Sequence, residues 1–121
     1  MPNTEFHYMY RDSSNYKQPG VVTFVGEITD EQRATITAAL DEGTYFLADQ
    51  VGVPNMREAW STHYESDHIW HEFTEFLVSE AAPTGDETIA DFAARFAGIE
   101  WDTEAAERQL EAWVYVTPQG H

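Results

Sequence analysis

Apolar and polar side chains first alternate over Glu5-Phe-His-Tyr-Met-Tyr-Arg11, which places Phe6, Tyr8 and Tyr10 on one side of a strand. Asp12-Ser-Ser-Asn15 and Gln18-Pro-Gly20 carry turn chemistry, and Val21-Val-Thr-Phe-Val25 reads as a second strand closed by Gly26. Joined by a loop of about nine residues, the two strands predict an antiparallel hairpin over 5–26. The period then lengthens. Thr29 is a helix N-cap with Gln32 at the capping-box position, and Asp30 and Glu31 suit the positive first turn. Ala34, Ile36, Ala38, Ala39 and Leu40 continue this helix over 30–42, and Gly43 ends it. Thr44–Leu47 reads as a short extended segment and Gln50–Pro54 as a turn or loop; no pattern is clear from there to Ser66.

Asp67–Ser79 supports two readings. On a helical wheel Ile69, Trp70, Phe73, Phe76 and Leu77 fall within one arc of about 120°, with His68, Glu72, Glu75 and Ser79 opposite. As a strand, Phe73–Val78 has good β formers but no clean alternation, so the local pattern favours helix. After the Ala81-Ala-Pro-Thr-Gly85 break, a helix over 86–98 buries Ile89, Phe92, Ala93 and Phe96 and stops at Gly98. Thr103–Trp113 reads as another helix capped by Thr103, and Val114-Tyr-Val116 as a short final strand. These elements predict one compact α+β domain over 1–121: an antiparallel sheet begun by the N-terminal hairpin and packed against two or three helices.

Composition narrows the function classes. The chain has 121 residues, 22 Asp+Glu against 6 Lys+Arg, a net charge of −16 and no cysteine. Disulfide frameworks, thiolate zinc sites and cysteine nucleophiles are therefore excluded. The 14% aromatic content argues against disorder. Direct nucleic-acid binding and anionic membranes are disfavoured, since no basic stripe can be drawn. There is no apolar run long enough to span a bilayer, and the polar Met1–His7 is not a signal peptide, so a cytoplasmic protein is expected. Near absence of Lys, with Arg retained and Ala, Thr and Val abundant, fits adaptation to high intracellular salt. An acidic face for a basic protein partner is the second reading; nucleic-acid mimicry fits less well, because the carboxylates recur along the whole chain instead of gathering on one face.

Two clusters carry candidate chemistry. His63, His68, His71 and Glu72, with Glu65, Asp67 and Glu75 nearby, have donors suited to a divalent metal, but no established ligand spacing is complete. Arg11, Asn15, Tyr16 and Lys17 lie on a loop holding the only neighbouring cations, suited to binding a partner or an anionic group. Trp60, Trp70, Trp101 and Trp113, with Tyr45, Phe46 and Tyr64, offer more aromatic surface than the core requires, and some of it suits a groove or dimer seam.

Phe6–Lys17 resembles the opening of a group of small uncharacterised prokaryotic proteins with an aromatic strand followed by Tyr-Arg-Asp-x-x-Asn-Tyr-Lys. The resemblance continues through Phe46–Pro54 and Asp67–Phe73. It implies that these segments belong together and tilts Trp70–Val78 toward a strand; the composition points to a halophilic, archaeal member. It implies no activity. With no complete catalytic constellation, the expected function is a non-catalytic protein-interaction or accessory module, with an unidentified protein or a second copy as partner and no cofactor. The alternative is a small metal-binding protein or metal-dependent enzyme using His63, His68, His71 and Glu72.

Overall fold

The computed structural model describes residues 2–11, 17–56 and 68–116, with side chains described as far as residue 110. Its elements run β1 (Asn3–Arg11), β2 (Lys17–Phe24), α1 (Asp30–Ala39), β3 (Tyr45–Phe46), α2 (Ala48–Val51), β4 (His71–Ser79), α3 (Ile89–Phe96) and α4 (Thr103–Val116). The strands form a four-stranded antiparallel sheet in the order β2-β1-β4-β3. An α+β fold begun by the N-terminal hairpin is therefore observed.

The hairpin is tighter than expected, because Arg11 already pairs with Lys17 and Gln18-Pro-Gly20 lies inside β2. Both breakers have a structural reason to be there. The backbone groups of Thr23 and Val25 point off the sheet edge to Thr84, Glu87 and Ile89. By strand alternation Pro19 directs its missing N–H to the same outer edge, so no ladder bond to β1 is lost and that edge is blunted. Gly20 stands opposite Tyr8, where a Cβ would come within 2.8 Å of Met56 Sδ and 2.9 Å of Tyr8 Cζ. The aromatic ring needs that space.

The largest departure from the local pattern is β4, a strand where the wheel favoured a helix. Its register against β1 shifts between His7 and Tyr8, which face Glu75 and Phe73, leaving Thr74 as the extra residue of a β-bulge. The bulge puts Phe73 and Phe76, three apart in sequence, on the same face of the sheet, with ring centroids 4.8 Å apart. A helical spacing thus arises in an extended chain, which accounts for the missing alternation. Two shorter segments also differ. Ala48–Val51 forms a helical turn closed by Gly52 in the left-handed conformation (φ 79°), and α4 continues to Val116 instead of yielding a final strand. Asp102, not Thr103, caps α4: its Oδ1 accepts from the Ala105 N–H at 3.0 Å.

Alternation in β1 sends Thr4, Phe6, Tyr8 and Tyr10 to the covered face. There Phe6 meets Phe24, Ile36, Leu40, Phe46, Ile89, Phe92 and Phe96 in one core supplied by the sheet, α1 and α3. Both features of the expected Thr29–Gln32 capping box are present at α1. Thr88 caps α3, and the buried face of that helix is the expected Ile89, Phe92, Ala93 and Phe96. A second, smaller cluster joins Leu47, Ile69 and Leu110, with Trp70 and Trp101 packed against it. Trp101 Nε1–H donates to the Ala39 carbonyl at 3.0 Å, filling an acceptor left open at the end of α1.

Candidate functional site

Antiparallel pairing of β1 with β4 brings together candidates 61 residues apart in sequence. Met9 faces Glu72, and Arg11 reaches back along the strand so that its Nε donates to Glu72 Oε2 at 3.0 Å and its Nη2 to Oε1 at 3.4 Å. One candidate partner-binding cation thus forks onto one candidate metal ligand. Lys17, its register partner on β2, is exposed. Asn15, Tyr16 and His63 lie outside the described residues, as do Trp60 and Tyr64.

The two described candidate histidines serve the backbone. His68 Nε2–H donates to the Arg11 carbonyl at 2.5 Å, while its Nδ1 accepts from the Trp70 N–H at 3.1 Å. That pattern requires the neutral Nε2–H tautomer and occupies both ring nitrogens. His71 is fully buried, and its Nε2 accepts from the Met56 N–H at 3.0 Å, which places its proton on Nδ1. Its ring packs among Tyr8, Tyr10 and Phe46 at centroid distances of 6.0, 5.4 and 5.9 Å. Both tyrosines join the same arrangement. Tyr8 Oη–H donates to the Pro54 carbonyl at 2.7 Å, and Tyr10 Oη accepts from the His68 N–H at 3.1 Å. Burial raises the Tyr8 phenol well above its ordinary range, so it stays a neutral donor. Together these bonds tie Pro54–Met56 and His68–Trp70 to the two central strands, β1 and β4. Among the described residues no group of three or more His, Asp or Glu is placed to hold a metal ion.

Strand parity places His7 on the other face of the sheet from His71. There its Nε2–H donates to Glu5 Oε1 at 2.8 Å, and Ser79 Oγ–H donates to Glu5 Oε2. These two donors, Ser79 first, hold the Glu5 carboxyl below its ordinary value. The carboxylate sits between the hydroxyl and the imidazole, so His7 does not contact the serine as the base of a nucleophilic triad would. The sequence reading missed this trio, although positions 5 and 7 share one face of the β1 alternation. It did not single out Tyr8 and Tyr10 as partners of the histidines either.

The remaining outer-face positions make a mixed surface. Val21 and Leu77 are 51% and 42% exposed, on β2 and β4 either side of the Glu5–His7 row. Arg11 and Lys17 stand at the hairpin end of the same face, with Pro19, Met9 and Glu72 next along it. At the opposite edge of the sheet Tyr45, Trp70 and Trp101 form a half-buried aromatic row with centroids 6.5 Å apart at each step. Phe46 is fully buried core. No family model, no curated protein and no solved structure matches the chain.

Proposed function

We propose that the protein is a small acidic protein-interaction or accessory module of the cytoplasm, without catalytic activity, that docks a protein partner through the outer face of its sheet. The observation that carries this reading is the asymmetry of the sheet. One face is covered by α1 and α3 apart from Val78 near the end of β4, while the other exposes Val21 and Leu77 and carries Arg11 and Lys17 at its hairpin end. Isolated exposed apolar residues are ordinary, but here they share a face with the chain's neighbouring cations, a mixture suited to a protein surface. The histidine bonds agree with the reading, since they use the imidazoles to fix backbone and leave His68 with no ring nitrogen for catalysis or metal. Among the described residues no helix is long and apolar enough to cross a membrane.

The test is affinity capture from the native cell with the wild-type protein and a Val21→Glu/Leu77→Glu variant, with folding verified by circular dichroism. A defined partner, held stoichiometrically by the wild type and lost by the folded variant, is expected. Equal recovery on both proteins would move the interaction off this face. Sedimentation of the purified protein distinguishes a second copy from a different partner.

Adaptation to high salt is part of the proposal. Arg11, Arg95 and Arg108 each pair with a glutamate, and Arg33 lies over the Phe76 ring at 5.5 Å. With 22 Asp+Glu against 6 Lys+Arg the carboxylates far outnumber the cations that could neutralise them, and their mutual repulsion is relieved by screening. The melting temperature is expected to rise by roughly 10 °C between dilute buffer and multimolar KCl, the shift that about 2 kcal/mol produces in a domain of this size. A flat calorimetric series across KCl concentrations would remove the salt reading and leave the interaction face standing.

A further inference from the structure

A groove separate from the sheet face lies between α2 and the N-terminal half of α4, with a volume of about 360 Å³. That volume is at the small end of the range of about 300–1,000 Å³ typical of small-molecule clefts. Its floor is apolar: Leu47 and Ile69 of the second core cluster and Ala48 of the main core are 4%, 6% and 2% exposed. The space exists because α4 presents Ala105 and Ala106 there, where longer side chains would fill it.

The walls are fixed by hydrogen bonds from three places in the chain. Gln50 is pinned at both ends, its Nε2–H donating to the Glu100 carbonyl at 2.7 Å and its Oε1 accepting from the Asp102 N–H at 2.9 Å. Asp102 Oδ1 is held by the Ala105 N–H at 3.0 Å, and Asp49 Oδ2 by Asn55 Nδ2 at 3.2 Å. Each carboxylate thus has one oxygen committed to holding its own position. Among the described residues neither second oxygen has a hydrogen-bond or ion-pair partner. Among the described residues no Lys or Arg lines the groove.

We infer that this groove binds a small organic cation, with an ammonium or guanidinium head at Asp49 and Asp102 and an apolar body over Leu47, Ile69 and Ala105. The apolar floor separates such a ligand from the inorganic cations that a surface of net charge −16 attracts everywhere. The carboxylates, pinned before the ligand arrives, set the sign of its charge and lose little freedom on binding.

The experiment is a titration of the folded protein with phenethylammonium, followed by amide NMR, alongside the neutral probe 2-phenylethanol. Saturable shifts at Asp49, Ala105 and Gln109 with the cation, and weaker ones with the alcohol, are expected. Asp49→Asn and Asp102→Asn should each weaken cation binding about tenfold, the loss of one charge-assisted bond. Asparagine keeps the hydrogen-bonding geometry at both places and caps a helix as well as aspartate does, so both variants are expected to fold. Ala105→Leu, which fills the groove, should abolish binding of both probes. Shifts that never saturate, that are equal for the alcohol and the cation, or that persist unchanged in the two asparagine variants would overturn the site.

Discussion

Replacing Phe6 by alanine is expected to destabilise the protein by about 3–5 kcal/mol, a large part of the total stability of a domain this size. Phe6 is fully buried at the centre of the sheet, and five rings surround it: Phe92 at 5.0 Å, Tyr8 at 5.4 Å, Phe46 at 5.5 Å, Phe73 at 5.6 Å and Phe76 at 5.7 Å. These rings come from β1, β3, β4 and α3, so the cavity left behind would open where four elements meet and none could close it alone. The control is Leu77→Ala, next in sequence to Phe76 but on the outer face and 42% exposed. It should change stability by no more than about 0.5 kcal/mol. Urea unfolding of both variants at one salt concentration makes the comparison. A small loss for Phe6→Ala with a large one for Leu77→Ala would mean that β4 pairs in another register.

The second large effect belongs to His71. His71→Ala removes a buried ring from among Tyr8, Tyr10 and Phe46 and leaves the Met56 N–H without its acceptor. An orphaned buried donor costs about 1–3 kcal/mol, and the vacated space adds to it, so a loss of about 3 kcal/mol is expected. His71→Gln, whose side-chain oxygen can take the Met56 N–H, should recover part of that loss. The same variants test the metal alternative. Calorimetric titration of chelator-stripped, untagged wild type with Zn, Mn and Ni should show no saturable site that depends on His68 and His71. Stoichiometric uptake lost in a folded His68→Ala/His71→Ala variant would return these residues to ligand duty.

Much of the fold was legible because its information is local. The β1 alternation, the Thr29–Gln32 capping box and the apolar stripe of α3 each follow from chain geometry within one or two turns, and the structure contains all three. Asp67–Ser79 was not legible in the same way. A bulge lets Phe73 and Phe76 share a face despite their helical spacing, and a bulge is a property of two strands in register. No window on one strand contains that register. Pro19 and Gly20 misled for a related reason. Both are turn formers in isolation, but one sits on the outer edge of β2 and the other beneath an aromatic ring on the neighbouring strand.

The candidate site divides along the same line. Residue types alone gathered His68, His71 and Glu72 as metal donors and set Arg11 apart on a recognition loop. Pairing of β1 with β4 joined Arg11 to Glu72 and turned the two imidazoles onto backbone groups. Whether an imidazole is a ligand, a base or a backbone acceptor depends on what stands within about 3 Å of its nitrogens, and strands distant in sequence supply those neighbours. The sequence by itself determined an acidic, cysteine-free chain with an aromatic first strand and two amphipathic helices, since charge, redox chemistry and local periodicity need no long-range contact. Only the tertiary structure decided which face of the sheet α1 and α3 cover, which backbone groups His68 and His71 hold, and where a groove lies beside α4. Each of those depends on the register and packing of segments that meet only in the folded chain.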